Sequence, residues 1–84
     1  MHRLEITRLA RKQLDALPRT VQPRIEAAIS SLAGQPHPPG SLKLKDREGT
    51  WRIRVGHYRI IYEIHDEALI IIVIRVAHRR DAYR

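Results

Sequence analysis

Arg52, Arg54 and Arg59 stand at positions from which they could act on a phosphate. Trp51, Ile53 and Val55 alternate with Arg52 and Arg54, the period-two pattern of a half-buried strand. Tyr58, Ile60, Tyr62 and Ile64 then alternate with Arg59, Ile61 and Glu63. Between these runs Gly56-His57 has the length and composition of a two-residue hairpin loop. A turn there pairs Val55 with Tyr58, Arg54 with Arg59 and Arg52 with Ile61, so three guanidinium groups project from one face. Like charges directly opposite across an antiparallel pair repel one another unless something negative lies between them. The pattern therefore points to a face reserved for an anion; its plain alternative is the solvated side of a strand.

The tail His78-Arg79-Arg80-Asp81-Ala82-Tyr83-Arg84 adds an imidazole, three more guanidinium groups and a phenol at the end of the last strand. Its plain reading is an exposed, frayed terminus. Its chemical reading is more specific. Cleaving RNA without a metal needs a base for the 2′-hydroxyl, cations for the charge that builds on phosphorus, and an acid for the departing 5′-oxygen. Arginine suits the second role and is a poor base, which leaves His78 as the titrating group. Tyr83 could stack on a base. Lys43 and Lys45 could extend the basic face to further phosphates, as could Arg80 and Arg84, although lysine on an edge strand also discourages aggregation. His2, His37, His57 and His65 fall near a terminus or in loops and turns, and read as solvated surface.

The elements that must hold these groups follow from periodicity. His2 to Ile6 alternates as a short strand, and Thr7 can cap a helix whose apolar stripe is Leu9, Ala10, Leu14 and Leu17, ended by Pro18. Val21, Ile25, Ala28, Ile29 and Leu32 form a second stripe, with Thr20 as its cap and Pro23 in its first turn. Gly34 stops it. Gly34 to Ser41 is a Pro- and Gly-rich connector, after which the period falls to two. Leu69 to Val76 is almost wholly apolar and reads as a central strand covered on both faces. The prediction is one α+β domain over residues 1–84: an N-terminal strand, a helical hairpin, then an antiparallel meander with the helices on one face. The register beyond His65 stays open, because a one-residue change in that turn swaps the face of Arg75.

Composition bounds the rest. The chain has 84 residues, too few for a second core. Sixteen Lys and Arg against nine Asp and Glu leave a net charge of +7, which favours an anionic partner. Without cysteine there is no disulfide frame, zinc-thiolate site or thiol nucleophile, and the five histidines show no ligand spacing. No membrane-length apolar run or leader-like segment occurs, so a cytoplasmic protein is expected, with no cofactor and no metal.

Leu42-Lys43-Leu44-Lys45, the run Trp51 to Ile64 and the run Val76 to Tyr83 together resemble the RelE branch of the RelE/ParE toxins of bacterial toxin–antitoxin pairs. The resemblance spans essentially the whole chain. It implies an endoribonuclease that cuts mRNA in the ribosomal A site by 2′-hydroxyl attack and so stops translation. It also implies a cognate antitoxin that wraps the basic surface, in a hetero-oligomer that binds operator DNA through the antitoxin. The family's two basic positions before the hairpin fall on Arg52 and Arg54, its strand arginine on Arg59, its arginine after the last strand on Arg79 and its tyrosine on Tyr83. Well-studied members carry lysine where this chain has Arg52 and Arg54, a change that preserves phosphate binding but not easy proton transfer. On this reading Arg54 and Arg59 hold the scissile phosphate, Arg52 and Arg79 assist, His78 is the acid or base and Tyr83 orients the nucleotide. The ParE branch, which shares the scaffold and poisons DNA gyrase without catalysis, is the alternative. A third possibility is an inactive domain that serves only in autoregulation.

Overall fold

The computed structural model describes residues 1–45 and 47–80. Its elements are β1 (Arg3–Ile6), α1 (Arg8–Asp15), α2 (Gln22–Leu32), β2 (Leu42–Lys43), β3 (Thr50–Val55), β4 (Tyr58–His65) and β5 (Ile70–His78). The strands form one sheet in the order β1-β5-β4-β3-β2. From β2 to β5 it is the expected antiparallel meander. The N-terminal strand then returns beside β5, parallel to it, with Arg3 opposite Ile70 and Ile6 opposite Val73. The result is a mixed α+β sheet with both helices on one face.

Each helix is set by local chemistry. Thr7 Oγ1 accepts the Ala10 N–H at 3.1 Å, an N-cap that contributes about 1 kcal/mol. Ala10 and Leu14, four residues apart, form the buried stripe, and Leu17 packs beside it. Leu9, expected on that stripe, lies about 100° around the helix from Ala10 and is 53% exposed. Helix α1 also ends at Asp15, before Pro18 can act. Its end is covered by the next helix, since Gln22 Nε2 donates to the carbonyls of Asp15 at 3.1 Å and Leu17 at 2.9 Å. Thr20 does not cap α2: its N-cap is Val21, with no side-chain bond, and the Pro18 carbonyl takes the Val21 and Gln22 N–H groups. Pro23 lies in the first turn, where a missing N–H breaks no intrahelical bond.

The core lies between this hairpin and one side of the sheet. Ile25, Ile29 and Leu32 of α2 meet Ile53, Ile60, Tyr62, Ile71, Val73 and Val76, all buried. The Pro-rich loop covers the part of that face the helices leave open. The Tyr62 hydroxyl donates to the Pro36 carbonyl at 2.8 Å, and the His37 ring stands edge-on to Trp51 at 4.5 Å. Burial raises the Tyr62 phenol to about 12, offset in part by a hydrogen bond with Ser41. No helix among the described residues is long and apolar enough to cross a membrane.

On the opposite face a smaller cluster, Ile61 and Ala77 with Leu44 and Ile74, gives only partial cover. Strand β5 is thus central but not buried on both sides as expected, and Ile70, Ile72 and Ile74 remain half-buried. Leu69, assigned to this strand by its apolarity, is instead the last residue of the preceding turn, at φ 55°.

A candidate phosphate-binding face

The hairpin closes as the sequence predicts. Val55 pairs with Tyr58, Arg54 with Arg59 and Arg52 with Ile61. Gly56 takes φ 61°, a value that L side chains rarely adopt, at the first central position of the turn. With that strain carried by glycine, His57 keeps an ordinary negative φ. Register therefore places Arg52, Arg54 and Arg59 on the face away from the helices.

Their environments differ. Arg54 is exposed. Arg52 is only 8% exposed. Arg59 is half-buried, and its Nε is buried with no hydrogen-bond partner. Among the described residues none of the three pairs with a carboxylate, for the ion pairs there are His2–Asp66, Arg3–Glu5, Arg11–Asp15 and His65–Glu63. A buried guanidinium donor without an acceptor costs on the order of 1–3 kcal/mol, and the Arg54–Arg59 opposition adds to that. A bound anion relieves both.

One irregularity decides what joins this face. Strands β4 and β5 run in step from His65↔Ile70 to Tyr62↔Val73, then slip, so that Ile61 faces Arg75 and Ile74 is the extra residue of a β-bulge. Unbroken alternation from Ile72 would put His78 among the arginines and Arg75 under the helices. The bulge reverses both. Arg75 is brought to the arginine face opposite Ile61, and His78 falls opposite Tyr58 on the helix side. Two groups on α1 and at its cap hold the outer edge of the bulged strand: Gln13 Oε1 accepts the Val76 N–H at 2.8 Å, and Thr7 Oγ1 donates to the Ile74 carbonyl at 3.4 Å.

The sequence candidates thus separate. Arg52, Arg54 and Arg59 are brought to one face, and Arg79 lies just past the end of β5, its N–H bonded to the His57 carbonyl at 2.8 Å. His78 is not with them: its ring contacts those of Tyr58 and His57, and its Nδ1 accepts the Arg80 N–H at 3.3 Å. Lys43 does not extend the face either. It is in register with Trp51, on the other side, and β2 ends there, leaving Lys45 exposed in a turn. The face instead receives Leu42 opposite Arg52, with Leu44 in its apolar cluster. Arg80 is exposed at the end of the described chain, while Tyr83 and Arg84 lie outside the described residues. Reading the sequence missed Arg75 as a site residue, although a lone cation within an apolar strand is a usable signal. It also missed Arg24, from α2, whose Nη2 and Nη1 lie 3.6 and 3.7 Å from where a Cβ at Gly56 would be. No three His, Asp or Glu side chains cluster as metal ligands among the described residues.

Arginines arranged in this way make a basic face but do not say whose it is. The family model described as the ParE toxin of the type II toxin–antitoxin system parDE matches residues 4–83. The chain belongs to the RelE/ParE toxin family. Toxin RelG of Mycobacterium tuberculosis is 35% identical to it over 82 residues, 96% of this chain and 94% of that protein. Toxin RelE of the same organism is 31% identical over 84 residues, 99% of this chain and 87% of its own length. The toxin's fold matches that in an archaeal RelE–RelB complex from Pyrococcus horikoshii OT3 with a TM-score of 0.83 and 26% identity, covering 96% of this chain and 98% of that one. It is a type II toxin by family, with its basic face formed by β3, β4 and β5.

Proposed function

We propose that this toxin is an endoribonuclease that cuts mRNA in the ribosomal A site through attack by the ribose 2′-hydroxyl, and that this cutting stops translation. The observation that carries the reading is the Arg54–Arg59 pair, opposed across the ladder without a carboxylate among the described residues, with the Arg59 Nε buried and unpartnered. A scissile phosphate supplies the missing acceptor. The 2′-oxygen bonds to phosphorus as the P–O5′ bond breaks, leaving a 2′,3′-cyclic phosphate and a 5′-hydroxyl. The 2′-hydroxyl proton passes to water and the departing 5′-oxygen takes one from water, while the guanidinium groups stabilise the charge that builds on the phosphorane oxygens more than they stabilise the ground state. Arg54 and Arg59 hold the phosphate, with Arg52 and Arg79 behind and beside them. Arginine keeps its protons throughout the physiological range, so the arginines bind and neutralise and do not relay protons. Tyr83 stacks on or orients the nucleotide, the role the family resemblance gives it.

The relatives named RelG and RelE support the ribonuclease reading, and the RelE–RelB complex supports a cognate antitoxin. That it covers the basic face and carries the pair to operator DNA is what the family resemblance implies. Both partners would be met in the cytoplasm. A second reading, a ParE-like toxin, has the description of the matching family model behind it; DNA gyrase as its target is what the resemblance to that branch implies. Cell-free translation of a defined message, with 5′ ends mapped by primer extension with and without ribosomes, separates the two. Cuts on translated message that vanish in Arg59→Ala support the nuclease. Intact message with unimpaired synthesis overturns it in favour of gyrase, which a supercoiling assay then tests directly.

A further inference from the structure

The hairpin tip holds groups that the phosphate chemistry leaves unused. The rings of His57 and His78 lie 27° from parallel with centroids 6.2 Å apart, and Tyr58 stands edge-on to His78 at 5.5 Å and 82°. The Arg79 N–H bonded to the His57 carbonyl fastens the end of β5 to the turn, and the Arg80 N–H on His78 Nδ1 restrains that ring. His57 is exposed and His78 half-exposed. Elsewhere the imidazoles of His2 and His65 are satisfied by Asp66 and Glu63, but neither ring at the tip has a carboxylate beside it among the described residues. From the other side, the Arg24 guanidinium lies over Gly56, again outside any ion pair among the described residues. The Arg54–Arg59 pair lies one residue pair behind this tip, on the other face of the sheet.

A restrained pair of near-parallel aromatic rings open to solvent, flanked by a free cation, suits the π-face of a nucleobase with its phosphate alongside. We infer that the tip is a nucleotide subsite: RNA that leaves the arginine face around the hairpin tip stacks a base on the His57 and His78 rings, on the helix side, while the adjoining phosphate meets Arg24. The ligand class is one residue of single-stranded RNA, and the inference rests on the RNA reading proposed above. Because π-stacking uses no edge hydrogen bonds, the subsite favours an unstacked base without selecting its identity.

The test uses the intact chain and a 2′-O-methyl hexaribonucleotide, which lacks the nucleophile and cannot be cut. Titration followed by proton NMR should move the ring protons of both His57 and His78 upfield, and an abasic residue at one position of the oligonucleotide should remove that shift while leaving the phosphates in place. Replacing both histidines by alanine should weaken binding about five-fold, the lower end of base-stacking contributions. Arg24→Gln should make the salt dependence shallower by about one phosphate contact. Two results overturn the subsite while leaving the RNA reading intact. One is an oligonucleotide that binds with an affinity sensitive to Arg59→Ala but leaves both imidazoles unshifted. The other is a double-histidine variant that binds as tightly as the parent. An oligonucleotide that does not bind at all, at low salt, also overturns the subsite, and the primer-extension assay then decides the RNA reading by itself.

Discussion

The two ends of the long β4–β5 hairpin treat charge in opposite ways. At the β4–β5 turn, histidines and carboxylates are matched: His65 with Glu63 at 2.9 Å, and His2 with Asp66 at 3.1 Å, with Arg3 paired to Glu5 at 3.0 Å on the neighbouring strand. At the β3–β4 turn, Arg54 faces Arg59, Arg24 overhangs Gly56, and the His57 and His78 rings meet each other and Tyr58 with no carboxylate paired to them among the described residues. The same strands carry both ends, so strand propensity does not explain the contrast. Charges satisfied within the fold hold a turn in place. Charges left unsatisfied do not, and the proposed RNA phosphate would satisfy them.

The largest expected effect comes from breaking the unmatched end. Arg59→Ala should lower single-turnover cleavage of ribosome-bound message by on the order of 10²–10³, the scale of a lost transition-state donor. Its melting temperature should nevertheless hold or rise, because removing either member of the Arg54–Arg59 opposition relieves repulsion of roughly 0.2–1 kcal/mol. Arg54→Thr should be more stable than the parent in denaturant titration for the same reason, and less toxic on induction. A loss of stability in both variants would show that the face is held by contacts within the chain.

Away from both ends, Tyr62→Phe removes the bond to Pro36 and should cost about 1 kcal/mol, read by urea unfolding. It also carries a pH signature. The folded-state phenol lies near 12, above its ordinary value of 10.0, so the neutral form is the one the fold favours. The corresponding stability is complete below pH 10 and is lost as pH rises toward 12, and the phenylalanine variant should lack that alkaline decline. The smallest effect belongs to the matched end. Leu69 occupies the left-handed region at φ 55°, where asparagine is better tolerated, and Leu69→Asn should raise stability by about 0.5 kcal/mol without altering cleavage.

How far the sequence could be read depends on distance along the chain. Gly56-His57 between two alternating runs specifies the hairpin and the Arg54–Arg59 opposition, because a two-residue loop leaves no freedom of register. The two helices follow from their apolar spacing, apart from Leu9. The bulge was not legible. Ile70 to Ile74 is uniformly apolar, so no alternation marks where the phase slips, and the slip is secured by Gln13, 63 residues earlier. That single residue moves His78 out of the arginine set and Arg75 into it. Lys43 was misplaced for a related reason: in a strand of two residues, the phase comes from the partner strand and not from the pattern. The parallel return of β1 beside β5 is a long-range pairing with no local signal.

The opposition of Arg54 and Arg59 also bears on how the free chain responds to its surroundings. Added salt commonly weakens a fold built on surface ion pairs by screening attraction; on this face it screens a repulsion instead. The unbound toxin should therefore melt at a higher temperature as ionic strength rises. Any polyanion that occupies the face, whether message or an acidic antitoxin segment, should raise the melting temperature further through the linkage between binding and folding. The proposed antitoxin, docked on this face, would then also protect the chain from unfolding, and its loss would leave the chain less durable.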